Sequence, residues 1–391
     1  MYQPKVISYD LETCLETGLP STEFHRPNFR LKSAAFSWRT EDDTIKSVVK
    51  WGEDEIRAFL KRIRDIGATV IVHNYAFEYG CTLQRLPEFA DLPMVDTMRL
   101  LQNADNGGYV FKTREEWSID EELAYLETGE EPDVPTGLSL GAGAKRWLPT
   151  EFHDHKGPYH SLIRERGGKT GHEGARLDLL TPDELARYNA ADAEVTLRLY
   201  ECLTEKFRAE GYDWTLDHKL YQSTARLVSQ AKIRGVRVDR DRLKAHCEAK
   251  QAELDRIAAD FRKRFSVEIE AIESDMVESR LAQYKTERGR AAAKVEATFN
   301  PRSTHQLAKL FVGKLGMAPK FLTAKGAPSF SSKFLKQWGD GGLILKKQRT
   351  VLLELKQGEA LYALSAETGR WAIDIKVAST KSGRLSGGNN A

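Results

Sequence analysis

The stretch Lys5-Val6-Ile7-Ser8-Tyr9-Asp10-Leu11-Glu12 decides how the first half of this chain is read. Lys5 to Asp10 is a β-branched and aromatic run, the pattern of a buried strand that opens a domain. Residues two apart on a strand point to the same face, so Asp10 and Glu12 project side by side. Two carboxylates at that spacing repel each other unless a cation neutralises them. A hard divalent ion with oxygen ligands does this, which points to Mg²⁺ or Mn²⁺. A strand end carrying two solvated acids is the plainer alternative.

Working outward, Leu31 to Trp38 and Thr44 to Trp51 flank the polar turn Thr40-Glu41-Asp42-Asp43, as in a β-hairpin. Trp51 to Gly67 reads as an amphipathic helix with acids in its first turn and a glycine stop. It leads into Ala68 to His73, a second buried strand whose end delivers Asn74, Phe77 and Glu78, with Glu78 opening a further helix. Asp96-Thr97 follows. A third chemical stretch, Tyr188-Asn189-Ala190-Ala191-Asp192, falls on a helix expected over about 183–206. Thr181 is a good N-cap for that helix and Pro182 suits its first position. Tyr188 and Asp192, four apart, share one face. A phenol beside a metal-bound carboxylate can orient an attacking water.

In this order the stretches resemble the tyrosine branch of the DEDD superfamily of proofreading exonucleases. Asp10 and Glu12 match the first motif, Asn74 to Glu78 the second, and Tyr188 to Asp192 the third. Glu78 stands where the second motif usually ends in aspartate, and Asp96-Thr97 matches the Asp-Thr that follows that motif, which implies structural support for Asp96 more than a ligand role. The resemblance covers residues 1–205 and implies an α/β ribonuclease H-like domain, a mixed sheet flanked by helices. It implies two ions, Mg²⁺ or Mn²⁺, held by Asp10, Glu12, Glu78 and Asp192. Tyr188 would position the attacking water, and Asn74 and Phe77 would contact nucleic acid. The expected reaction is 3′–5′ removal of nucleoside monophosphates from DNA 3′ ends.

The second half differs in charge. Residues 231–391 hold 31 Lys and Arg against 18 Asp and Glu, whereas residues 1–230 hold 28 against 39, so a net charge of +2 hides a dipolar chain. A basic half is the footprint of a phosphate-backbone binder, although many solvated helical surfaces are also basic. Leu220 to Arg234 reads as a helix ended by Gly235, Arg240 to Phe265 as a long charged helix, and Leu343 to Gln357 as another. Ser303 or Thr304 caps a helix over His305 to Phe311. The segments Gly235-Val-Arg-Val-Asp239, Asn300-Pro-Arg-Ser-Thr-His-Gln-Leu307, Thr323-Ala-Lys-Gly-Ala-Pro-Ser329 and Thr380-Lys-Ser-Gly-Arg-Leu-Ser386 resemble the entry to the polymerase domain of family A, DNA polymerase I-like enzymes. Residues 206–391 would then be a mostly α-helical thumb and the first strands of a palm. Ser379, Thr380, Lys381 and Arg384 would lie against primer-template duplex.

The family's palm and fingers motifs have no counterpart before Ala391, so no polymerisation is expected from this chain alone. It would be one piece of a divided or truncated polymerase, with a possible partner chain carrying palm and fingers. The alternative is a catalytically weak subunit that binds primer-template and completes such a polymerase. Cys14, Cys81, Cys202 and Cys247 show no metal-ligand spacing and suit a reducing cytosol. No apolar run approaches ~18 residues, which argues against a membrane. A phage-type relative would place the chain in the host cytoplasm. The acidic run 115–133 reads as a solvated helix or loop. His153-Asp154-His155, with His160 and His172, offers zinc-type ligands, but Lys156 to Ile163 reads better as a connecting segment.

Overall fold

The computed structural model describes residues 3–105, 109–111, 133–135, 137–283, 296–323, 325–377 and 385–387. The chain forms two compact units, Met1–Val236 with Ala372–Ala391, and Arg237–Trp371.

The first unit is built on five strands, β1 (Val6–Leu15), β2 (Phe29–Arg39), β3 (Ile45–Trp51), β4 (Thr69–Val72) and β5 (Met94–Asp96). They lie in the order β3-β2-β1-β4-β5. The hairpin side is antiparallel and β1, β4 and β5 run parallel, so the sheet is mixed. The expected hairpin forms, its turn closed by Thr40 N donating to Thr44 O at 2.8 Å. Helix α1 (Gly52–Asp65) has Glu53, Asp54 and Glu55 in its first turn, and Gly67 turns the chain into β4 at φ 66°. Then come α2 (Tyr75–Arg85), α3 (Thr97–Ala104), α4 (Leu140–Trp147), α5 (Gly157–Glu165), α6 (Pro182–Ala209) and α7 (Thr215–Arg234).

Strand alternation sorts the core onto both faces of the sheet. Ile7, Tyr9 and Leu11 pack with Phe36, Ile56, Leu60, Tyr75 and Tyr79 on one side. Ile71 and Val95 pack with Leu140, Ala144, Val195, Leu199 and Phe207 on the other. The first unit runs past residue 205, because α7 is tied to it: Ser229 Oγ donates to Ala76 O at 2.9 Å, and Arg99 grips Asp217 with two bonds of 2.9 and 2.6 Å. The segment expected as a connection at Lys156 to Ile163 forms α5, begun by Gly157-Pro158.

The second unit is helical: α8 (Arg240–Arg264), α9 (Ser266–Leu281), α10 (Thr304–Ala308) and α11 (Gly339–Leu364). Ser303 caps α10, accepting from Gln306 N at 3.3 Å. Phe261, Phe265, Ile269, Phe311, Phe330, Leu335, Trp338 and Leu345 form its core. Helix α11 begins at Gly339, earlier than the expected Leu343, and Gly341 and Gly342 in its first turn are closely packed. A Cβ on Gly342 would stand 1.8 Å from Leu335 O. Ser379, Thr380, Lys381, Arg384 and nearly all of the acidic run lie outside the described residues. Among the described residues, no helix is long and apolar enough to cross a membrane.

Candidate metal centre

Strand β1 and helix α6 build the centre between them. Ser8, Asp10 and Glu12 share the face of β1 that meets α6, where Ser8 Oγ donates to Ala193 O at 2.6 Å. Across the ladder Asp10 faces Ala35 and Glu12 faces Ser33, and these small neighbours leave room above the strand. A register irregularity follows Glu12. The capping box expected at Thr181 starts α6: Thr181 Oγ1 accepts from Glu184 N at 3.3 Å, and Glu184 Oε2 accepts from Thr181 N at 2.8 Å. Two turns later the helix presents Tyr188, Asn189 and Asp192, all buried. One carboxylate oxygen from each of Asp10, Glu12 and Asp192 lies within 4.8 Å of the others, across 180 residues of sequence.

Such proximity is electrostatically costly without a cation. Burial first, and Asp192 second, push Asp10 up to about 8. Glu12 is driven well above the usual carboxylate range by burial and then by Asp10. A set of hard oxygen donors whose ionisation is suppressed in this way fits Mg²⁺ or Mn²⁺, whose binding favours the ionised forms. Tyr188 is raised by burial and by Asp192, so the phenol stays protonated.

The second motif forms the facing wall. Asn74 adopts a left-handed conformation, φ 84°, at the start of α2. Asp96 holds it there, accepting from Asn74 N, Tyr75 N and Met98 N at 2.9, 3.0 and 2.9 Å, and from Tyr221 Oη at 2.7 Å. Four donors satisfy this buried carboxylate, which fits the structural part expected of it. Glu78, in the first turn of α2, stands outside the three-acid group but lines the same cleft. It is 3 % exposed, and its Oε2 has no hydrogen-bond partner among the described residues. Burial and Asp10 raise it well above the usual range. A buried carboxylate oxygen left without a donor is the condition in which a cation would satisfy it.

Two residues that the sequence did not relate to the acids join them at the centre. Lys156 Nζ lies 2.6 Å from Asp192 Oδ2 and 3.2 Å from Tyr188 Oη, and His155 Nε2 lies 2.9 Å from Asp192 Oδ1. Burial disfavours the Lys156 charge, yet Asp192, Tyr188 and Asp10 together more than offset it and the ammonium is held. Asp192 stays ionised against its own burial because of Lys156 and His155. The histidine-rich stretch does not gather as a zinc site. His153 Nε2 bonds to Leu148 O at 2.8 Å, and His155 Nδ1 to Phe152 O at 3.1 Å. Nothing in the spacing of Lys156 relates it to acids 36 and 146 residues away.

The acids line a cleft of about 890 Å³. Thr22, Glu23, Asn74, Phe77, Met98 and Leu138 also line an adjoining cleft of about 790 Å³, whose far wall includes Phe24, Tyr221 and Lys232. The Phe24 and Phe77 rings lie 6.4 Å apart.

No family model and no curated protein matches this sequence. The fold does have a solved counterpart. The chain is similar to the POL domain of Pol1 from M. smegmatis, in complex with DNA primer-template and dNTP, with a TM-score of 0.56 at 12 % identity. The similarity covers 97 % of this chain and 51 % of that one, so this chain spans about half its length. The likeness is one of fold: a mixed α/β architecture of the DNA polymerase type.

Proposed function

We propose that this chain is a metal-dependent 3′–5′ exonuclease acting on DNA 3′ ends, the exonuclease and thumb portion of a family A-like, phage-type DNA polymerase. The observation that carries the reading is the convergence of Asp10, Glu12 and Asp192, from segments at opposite ends of the first unit, within 4.8 Å. In this reading the first unit is a ribonuclease H-like domain, and its strand order and acid placement support that assignment. The helical Arg237–Trp371 unit is the thumb.

Asp10, Glu12, Glu78 and Asp192 would hold two Mg²⁺ or Mn²⁺ ions. Bound there, the ions would neutralise the attacking and leaving oxygens of an in-line displacement. Tyr188 would hydrogen-bond the attacking water, Asn189 would hold Asp10 in line, and the left-handed turn at Asn74 would aim Glu78 into the cleft. Phe24 and Phe77, along the adjoining cleft, offer ring faces on which bases of a single strand can stack. The products would be a nucleoside 5′-monophosphate and a strand shortened by one nucleotide with a free 3′-hydroxyl.

The test is digestion of a 5′-labelled single-stranded DNA with and without Mg²⁺, beside an Asp10→Ala, Glu12→Ala double substitution. The expected result is a ladder shortening from the 3′ end in the parent protein only. No metal-dependent digestion by folded protein would sink the reading.

A second reading is favoured by the fold similarity to a polymerase domain and by the basic second half. The chain would then be a catalytically weak primer-template-binding subunit, completed by a partner that carries palm and fingers. Salt-sensitive duplex binding without digestion would select it.

A further inference from the structure

Among the described residues lining the acid cleft, Lys156 is the one lysine or arginine, against five carboxylates, Asp10, Glu12, Glu23, Glu78 and Asp192. Its ammonium reaches into the cleft from the residue just before α5. The approach is fixed locally. Asp154 folds over the start of α5 so closely that a Cβ on Gly157 would stand 2.1 Å from its Oδ2, and His155 Nδ1 bonds to Phe152 O. The Lys156 ammonium lies 5.2 Å from the centroid of the Tyr188 ring and rests against Tyr188 Oη and Asp192 Oδ2.

The Asp192 carboxylate has two close neighbours, Lys156 Nζ 2.6 Å from Oδ2 and His155 Nε2 2.9 Å from Oδ1. If the ammonium moves to another anion, His155 remains beside Asp192. A lysine side chain has four rotatable carbon bonds and a compact charge, so it can exchange one oxyanion for another within a small radius. A phosphodiester entering the cleft brings such an oxyanion to a site otherwise lined by acids.

We propose that Lys156 is a catalytic residue of the hydrolysis: its ammonium passes from Asp192 to a non-bridging oxygen of the phosphate under attack. This inference rests on the exonuclease reading above. In the step, the water oxygen bonds to phosphorus and the P–O3′ bond breaks. One water proton ends on O3′, and the other remains on the monophosphate or leaves to solvent according to pH. Lys156 gives up no proton; it stabilises the charge that gathers on the phosphoryl oxygens.

The test compares the parent protein with Lys156→Met, which keeps a long unbranched side chain without the charge, and Lys156→Arg, which keeps the charge. Lys156→Gln serves as a second neutral variant should Lys156→Met fail to fold by circular dichroism. Digestion of single-stranded DNA is measured at rising Mn²⁺, and Mn²⁺ binding to the metal-free proteins is measured by calorimetry. The expected result is a fall in kcat on the order of 100-fold at saturating Mn²⁺, little change in KM, and partial recovery in Lys156→Arg. Mn²⁺ binding to the neutral variants should be equal or tighter, because a competing cation has been removed. A rate loss that disappears as Mn²⁺ rises would assign Lys156 to orienting Asp192 alone and overturn the phosphate contact. So would a neutral variant with kcat within about threefold of the parent. Parent protein that does not digest DNA overturns the exonuclease reading and this inference with it; an active parent with an undiminished neutral variant overturns this inference alone.

Discussion

Asn189 donates from Nδ2 to Asp10 Oδ2 at 2.6 Å while its own Oδ1 accepts from Ser33 Oγ at 3.3 Å, so a buried amide links helix α6 to strands β1 and β2. Asn189→Ala would leave both Asp10 Oδ2 and Ser33 Oγ without this partner. The expected cost is about 1–3 kcal/mol in urea unfolding, with Mn²⁺ affinity reduced on the order of tenfold, as when a group orienting a metal ligand is lost. Parent-like Mn²⁺ affinity in a folded Asn189→Ala protein would contradict the positioning of Asp10 by Asn189.

The acid cluster sets a pH dependence for the metal-free protein. Asp10 ionises near 4 in an unfolded chain but is pushed up to about 8 in the fold, by burial first and Asp192 second. The unfolded state therefore loses this proton first. The stabilisation is complete below about pH 4 and is lost as pH rises through about 8. Glu12 and Glu78, raised for the same reasons, act in the same sense. Asp192 is held low, so its contribution is lost only as pH falls below the ordinary carboxylate range. Asp10→Asn should gain in Tm over the parent as pH is raised from about 5 to about 8 without metal, and Mn²⁺ should stabilise the parent more at the higher pH. A gap between variant and parent that is flat across this window would count against the cluster.

Tyr188 is 6 % exposed and its hydroxyl meets Lys156. Tyr188→Phe removes one oxygen and keeps the T-shaped contact with Tyr159, whose ring centroid is 5.6 Å away. A folded variant is expected with parent-like Mn²⁺ binding and a digestion rate lowered about 100-fold. An unchanged rate would free the phenol from any part in water orientation.

Gly342→Ala tests the packing of the helical unit. The added methyl would overlap the Leu335 carbonyl and would stand only 3.0 Å from Trp338 Cβ. Backbone must move, so the variant should lose about 1–3 kcal/mol or more, seen as a lower melting temperature. Retention of the parent melting curve would show that the turn before α11 can yield at little cost.

Local chemistry made much of this protein readable from its residues. The hairpin turn at Thr40 to Asp43, the Thr181-Pro182 start of α6, the stop at Gly235 and the Ser303 cap all follow from interactions within a few positions, and each forms as expected. Strand alternation likewise sets Asp10 and Glu12 on one face. The Lys156 to Ile163 connection carries little beyond Gly157-Pro158 as a helix start signal, and its helical form shows only in the structure.

The sequence by itself determined which acids could act, and on which element each rides, because strand and helix periodicities are local. Only the tertiary structure decided that Asp192 meets Asp10 and Glu12, that Glu78 is buried with an unsatisfied oxygen, and that Lys156 and His155 close on Asp192. Those encounters depend on how α6 crosses the sheet and how the turn before α5 folds against it. Packing of whole faces sets both, and a Coulomb interaction between residues 36 or 182 positions apart leaves no trace in their spacing.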